Sequence, residues 1–124
     1  MKKLFMMAVT ATVLTTSAVA ADKEIHSLAE YEALTKQGNV IVDFYAPWCL
    51  PCGELSLNLE KLELHKRNVK VYKINVDENP DLQALYGQPQ IPTILYMKNG
   101  EVLDGHIGSL TTVQLEDTIS NYFY

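Results

Sequence analysis

Both cysteines of this chain fall in one four-residue run, Cys49-Leu50-Pro51-Cys52, and nothing else in the sequence is as well suited to chemistry. Two thiols at this spacing can bond to each other, supply two metal ligands, or tether haem. As a structural staple the pair is poor, because so small a loop adds little entropic stability. Haem attachment requires histidine directly after the second cysteine, and here Gly53 follows. Structural zinc needs four ligands. His65 follows Cys52 after twelve intervening residues, and the other histidines are His26 and His106. If 49–65 is one helix, its rise of 1.5 Å per residue puts His65 about 20 Å from Cys52. Zinc is therefore disfavoured, no metal or cofactor is expected, and thiol–disulfide exchange is the chemistry that remains.

Such a pair must be positioned by its neighbours. Val40-Ile41-Val42-Asp43-Phe44-Tyr45 is a short β-branched and aromatic run bounded by turn formers, which predicts a strand. It is apolar on both alternating faces except at Asp43, as expected of a buried central strand. From Cys49 to about His65 the spacing becomes helical, with Cys52, Leu55, Leu59 and Leu62 on one stripe. A strand, a turn and then a helix place Cys49 at a helix N-terminus. Free backbone N–H groups and the helix dipole stabilise a thiolate there. Cys52 lies one turn further in and more buried.

Around this centre, Ser27-Leu28-Ala29-Glu30 fits a capping box opening a helix to about Leu34, and Gly38-Asn39 ends that unit. Val69–Val76 is a second strand. Asn79-Pro80 opens a short helix, with Asn as cap, Pro at its first position and Gly87 as the stop. Thr93–Met97 and Glu101–Ile107 are strands joined across Asn99-Gly100, a hairpin signal. Thr111-Thr112-Val113-Gln114 fits another capping box, opening a helix with Leu115, Ile119 and Tyr122 on one face. Helices alternating with strands give parallel pairs, and the closing hairpin adds an antiparallel one. The expected fold class is α/β, a mixed central sheet of four to five strands flanked by about four helices. The fifth strand would be a short edge at Glu24-Ile25-His26.

The totals suit this reading. The 124 residues are 48% hydrophobic and 20% charged, an ordinary globular composition. The net charge of −5 comes without any basic run, which argues against nucleic acid as a partner. Residues 1–20 differ in kind: Lys2 and Lys3, a mostly apolar Leu4–Val13, then Ser17-Ala18-Val19-Ala20. That is the layout of a secretory signal peptide, with cleavage expected after Ala20 or Ala21. A membrane-spanning helix is the rival reading, but it needs about 20 apolar residues and this stretch is broken by Thr10, Thr12, Thr15 and Thr16. Export removes two of ten basic residues and none of fifteen acidic ones, leaving eight against fifteen, a net of −7. Residues 21–124 then form one acidic domain with no stable membrane insertion.

The run from Val42 through Cys52, with Ala46-Pro47-Trp48 before the first cysteine, resembles the active-site strand and turn of the thioredoxin family. Asn75–Pro80 resembles the stretch before that family's third helix, Ile91-Pro92-Thr93 its cis-proline loop, and Lys98–Glu101 its hairpin. The matches run in order from about residue 25 to the end. The resemblance implies a thioredoxin fold and a protein-disulfide reductase or related thiol–disulfide oxidoreductase with a redox-active Cys49–Cys52 disulfide. Cys49 would attack a partner disulfide and Cys52 would resolve the mixed disulfide. Asp43 matches the family's buried carboxylate, suited by a raised pKa to proton transfer with Cys52; its alternative is a strand-end residue bonded to nearby backbone. Lys73 matches the family's lysine near that acid, or is a solvated strand-edge lysine. Pro92 would be cis, and Trp48, Leu50, Pro51, Ile91, Pro92 and Ile107-Gly108-Ser109 would form the surface that partners touch. Trp48 could instead be core.

Departures from the family leave the redox direction open. Leu50 replaces the usual Gly between the cysteines, Gly53 and Glu54 stand where Lys and an apolar residue are common, and Leu57 where Pro often kinks the helix. The expected role is a periplasmic reductant (secreted if the host lacks a periplasm), a monomer recharged by a membrane thiol reductase and acting on protein disulfides. A disulfide-introducing oxidase and a non-catalytic docking or assembly subunit are the alternatives.

Overall fold

A computed structural model describes residues 23–66 and 68–124. The expected signal peptide and its cleavage site lie outside the described residues. The element order is α1 (Leu28–Thr35), β1 (Asn39–Tyr45), α2 (Leu50–His65), β2 (Val69–Asn75), α3 (Pro80–Ala84), β3 (Thr93–Lys98), β4 (Glu101–Ile107) and α4 (Thr112–Phe123). The four strands form one sheet in the order β2-β1-β3-β4. The expected fifth strand reduces to a single bridge between Glu24 and Lys73.

Strand β1 is central and buried because its side chains alternate between two apolar layers. Val40, Val42 and Phe44 join a core with Ile25, Tyr31 and Leu82 on one side. Ile41 joins Leu55, Leu59, Leu62, Leu115 and Ile119 from α2 and α4 on the other. Asp43 shares the Ile41 face, so the one charge in this strand points beneath α2.

The strand directions correct one expectation. Of the four described strands, β1 and β2 alone pair in parallel; β3 runs antiparallel to β1, with Phe44 opposite Thr93 and Asn39 opposite Lys98. The five residues of α3 rise about 8 Å, whereas a seven-residue strand such as β2 spans about 23 Å. The helix cannot return the chain to the far end of the sheet, so β3 starts where β1 and β2 finish. The C-terminal end of β1, the N-terminal end of β3 and the C-terminal end of β4 therefore share one edge.

Local signals act in three different ways. Thr111 and Gln114 form the expected reciprocal capping box. Asn99 and Gly100 take φ of 50° and 85°, the left-handed pair a tight hairpin requires. At α1, Ser27 Oγ accepts from Glu30 N as expected, but the Glu30 carboxylate accepts from His26 N rather than from the cap residue. Asn79 is the N-cap residue of α3 as expected, but its side chain makes no cap bond; its Nδ2 donates to the carbonyls of Ile25 and Asn75, tying the N-terminal segment to the end of β2. On α4, Phe123 is buried alongside Leu115 and Ile119, while Tyr122 packs against Tyr96 with ring centroids 5.0 Å apart.

Candidate active site

Residue Cys49 is the N-cap of α2, and its sulfur accepts from Cys52 N at 3.3 Å. A turn closed by Cys49 N donating to Ala46 O delivers it from β1. The two sulfurs are bonded to each other. Cys49 is partly exposed and Cys52 only 2% exposed, so the sulfurs differ in access. The cause is helical geometry: Cys52 heads the buried stripe of Leu55, Leu59 and Leu62, while Cys49 stands at the open end. Pro51, in the first turn of α2, sits where its missing N–H costs nothing.

On the face of β1 covered by α2, Asp43 is fully buried and neither carboxylate oxygen has a hydrogen-bond partner. The alternative of a strand-end residue bonded to nearby backbone is thereby excluded. Burial disfavours the charged form and pushes its pKa up to about 7, opposed by the Lys73 charge and assisted by Glu24. A cavity of about 30 Å³ adjoins it, lined by Lys23, Ser56, Glu60, Glu63 and Lys73 among others.

Lys73 lies directly opposite Asp43 in the β1–β2 register. Its ammonium donates to Ser56 Oγ at 2.8 Å and sits over the Tyr45 ring, 4.3 Å from the centroid. The Tyr45 hydroxyl donates to the Glu24 carboxylate. The lysine is thus neither freely solvated nor bonded to Asp43. Sequence reasoning missed Ser56, Tyr45 and Glu24 in this cluster. Ser56 had a usable signal, since it lies four residues after Cys52 and so one helical turn deeper on nearly the same side.

The other nominated residues gather at the shared edge. Trp48 is 69% exposed, which excludes a core role, and its Nε1 donates to Asp77 Oδ2 at 2.9 Å. Asp77 is itself held by its N–H donating to Asn75 Oδ1. Leu50 is 89% exposed. The Ile91–Pro92 bond is cis. Pro92 is buried, and its carbonyl accepts from Gly108 N at 2.8 Å. Gly108 adopts φ of 104°, a conformation L side chains rarely take, which brings the end of β4 onto the proline loop. Ile107, opposite Thr93 in register, is exposed beside it. The result is an apolar shelf around a partly exposed sulfur, and Ser56 and Lys73 line both the groove at the two cysteines and the cavity that Asp43 lines.

The family model described as thioredoxin matches residues 22–121. Thioredoxin of Porphyra purpurea is 40% identical over 92 residues, covering 73% of this chain and 86% of the relative. Thioredoxin of Bacillus subtilis is 37% identical over 93 residues, 74% of this chain and 89% of the relative. Among solved structures, a point-mutant thioredoxin from Halobacterium salinarum superposes with a TM-score of 0.75 at 31% identity, covering 82% of this chain and 89% of that one. Oxidised mitochondrial thioredoxin 3 of Saccharomyces cerevisiae gives 0.73 at 31% identity, covering 79% and 92%.

Proposed function

This chain belongs to the thioredoxin family and is a thiol–disulfide oxidoreductase, and from that premise we propose that it is an exported reductant of protein disulfides. The observation that carries the reading is the pairing of a reachable Cys49 with a shielded Cys52, whose groove shares Ser56 and Lys73 with the cavity lined by the buried Asp43.

The reaction starts from the dithiol. Cys49 attacks as thiolate, one sulfur of the partner disulfide bonds to it, and the other partner sulfur leaves as thiolate. Cys52 then gives its proton to the Asp43 carboxylate and attacks Cys49. The mixed disulfide breaks, the second partner sulfur leaves, and the Cys49–Cys52 bond remains. Two electrons pass from the dithiol to the partner. A group with a pKa near 7 takes up and returns such a proton at neutral pH. Trp48, Leu50, Pro51, Ile91, Pro92, Ile107 and Gly108 serve as the docking shelf, whose apolar character suits segments of unfolded or loosely folded protein.

Export rests on residues 1–20, whose charged start, apolar stretch and small-residue end fit a cleaved signal. In a periplasm the oxidised form must be recharged, and a membrane thiol reductase is the proposed electron source. The mature protein is proposed to act as a monomer.

The equilibrium potential of the Cys49–Cys52 couple, titrated against defined thiol buffers, tests the direction. A reductant is expected near about −270 mV; a value near about −120 mV would make the chain a disulfide donor. Fractionation of cells expressing the full chain tests export, with N-terminal sequencing expected to begin at Ala21 or Asp22.

A further inference from the structure

The lysine paired in register with the buried acid does not bond to it. Asp43 and Lys73 face each other in register, both Asp43 oxygens are buried without a partner, and the Lys73 ammonium is instead held by Ser56 Oγ at 2.8 Å. A second restraint acts from the other side, because the ammonium lies 4.3 Å from the Tyr45 ring centroid. Tyr45 is anchored in turn by its hydroxyl bond to Glu24. We propose that Ser56 is a positioning residue for the exchange reaction: its hydroxyl holds the Lys73 ammonium away from the Asp43 carboxyl.

What Lys73 would do without Ser56 decides the matter. An ammonium carries three donors and needs acceptors. Asp43, Ser56 and Lys73 line the same cavity of about 30 Å³, so the unpartnered Asp43 oxygens are acceptors on the wall the ammonium already faces. Released from Ser56, Lys73 would turn to them. An opposite charge within about 4–6 Å lowers a carboxyl pKa by about 1–3 pH units. The other charged groups facing Asp43 are Glu24 from the N-terminal segment, Lys23 beside it, and Glu60 and Glu63 on α2. Lys23 is occupied by an ion pair with Glu63, and Glu63 also accepts from Val71 N. Lys73 is thus the cation whose position can change most by loss of one hydroxyl.

The inference rests on the reading of Asp43 as the proton acceptor for Cys52, and its test separates the two. Carboxyl NMR titration of Asp43 in the purified oxidised protein involves no turnover. Ser56→Ala should lower the Asp43 midpoint by about one pH unit. Ser56→Thr, which keeps the hydroxyl, should restore it, and Lys73→Met should raise it above the parent. If the Ser56→Ala midpoint matches the parent, the proposal fails, whatever the activity does. In turnover, the acid limb of the pH–rate profile should move down with the NMR midpoint. If the midpoint moves and the limb does not, Ser56 positions Lys73 but Asp43 is not the proton acceptor, and the proposed role in exchange is lost.

Discussion

Asp43 and Lys73 occupy opposed positions on adjacent parallel strands, yet the ammonium bonds to Ser56 and the carboxylate bonds to nothing. A buried carboxylate without a hydrogen bond is costly when charged. The chain therefore keeps, in the cavity it shares with Ser56 and Lys73, an acid that folding pushes towards the protonated state.

That cost has a sign in stability. Burial raises the folded pKa from 3.8 to about 7, so the folded protein binds the proton more tightly than the unfolded chain does. Stability from this group is complete below about pH 4 and is lost as pH rises to about 7. The span corresponds to about 4 kcal/mol. Asp43→Asn should therefore stabilise the oxidised protein by a few kcal/mol at pH 8 and leave it nearly unchanged at pH 4. Urea unfolding at the two pH values checks this; an equal effect at both would mean the carboxyl is not held neutral by burial.

The two sulfurs should fail differently. Cys49→Ser should abolish turnover with a protein disulfide. Cys52→Ser should leave the first attack intact and accumulate mixed disulfides, because the resolving sulfur is gone. Non-reducing gels of each variant with an oxidised partner distinguish the outcomes. A phenotype that survives Cys49→Ser would instead favour a docking role for the scaffold.

Leu50 contacts solvent over most of its surface although it lies between the two cysteines. Its removal costs the fold little, since surface substitutions usually stay within about 0.5 kcal/mol. Leu50→Ser should leave the unfolding midpoint almost unchanged and raise KM for a protein partner several-fold. The rate with a small disulfide reagent, which needs no apolar shelf, should change less than the protein rate.

Capping holds the last helix in place. Thr111 and Gln114 satisfy each other's backbone donors at the start of α4, whose Leu115 and Ile119 are fully buried against α2 and the sheet. Thr111→Ala should destabilise the protein by about 1 kcal/mol. Gln114→Ala removes the other of the two bonds and should cost less, because Ala favours the helical position more than Gln does. Denaturant midpoints measured for both variants provide the check.

Some of this architecture was written locally along the chain. Alternating β-branched runs, the Leu55–Leu59–Leu62 stripe, the Asn99-Gly100 turn and the Thr111 cap are set by neighbours within a few residues, so periodicity and turn chemistry reveal them. The cysteine spacing likewise announced the chemistry, and an acid inside an apolar strand announced a buried carboxyl. Tertiary structure decided what joins distant segments. Lys73 meets Ser56 across 17 positions and Trp48 meets Asp77 across 29, distances at which no local pattern selects a partner. The Asn79 side chain could cap its helix or reach Ile25, and only the folded chain placed that carbonyl within reach. The direction of β3 depended on how far a five-residue helix can carry the chain across the sheet. Side-chain types and spacing determine which groups can react; which charge lies beside which proton is decided only when the strands and helices pack.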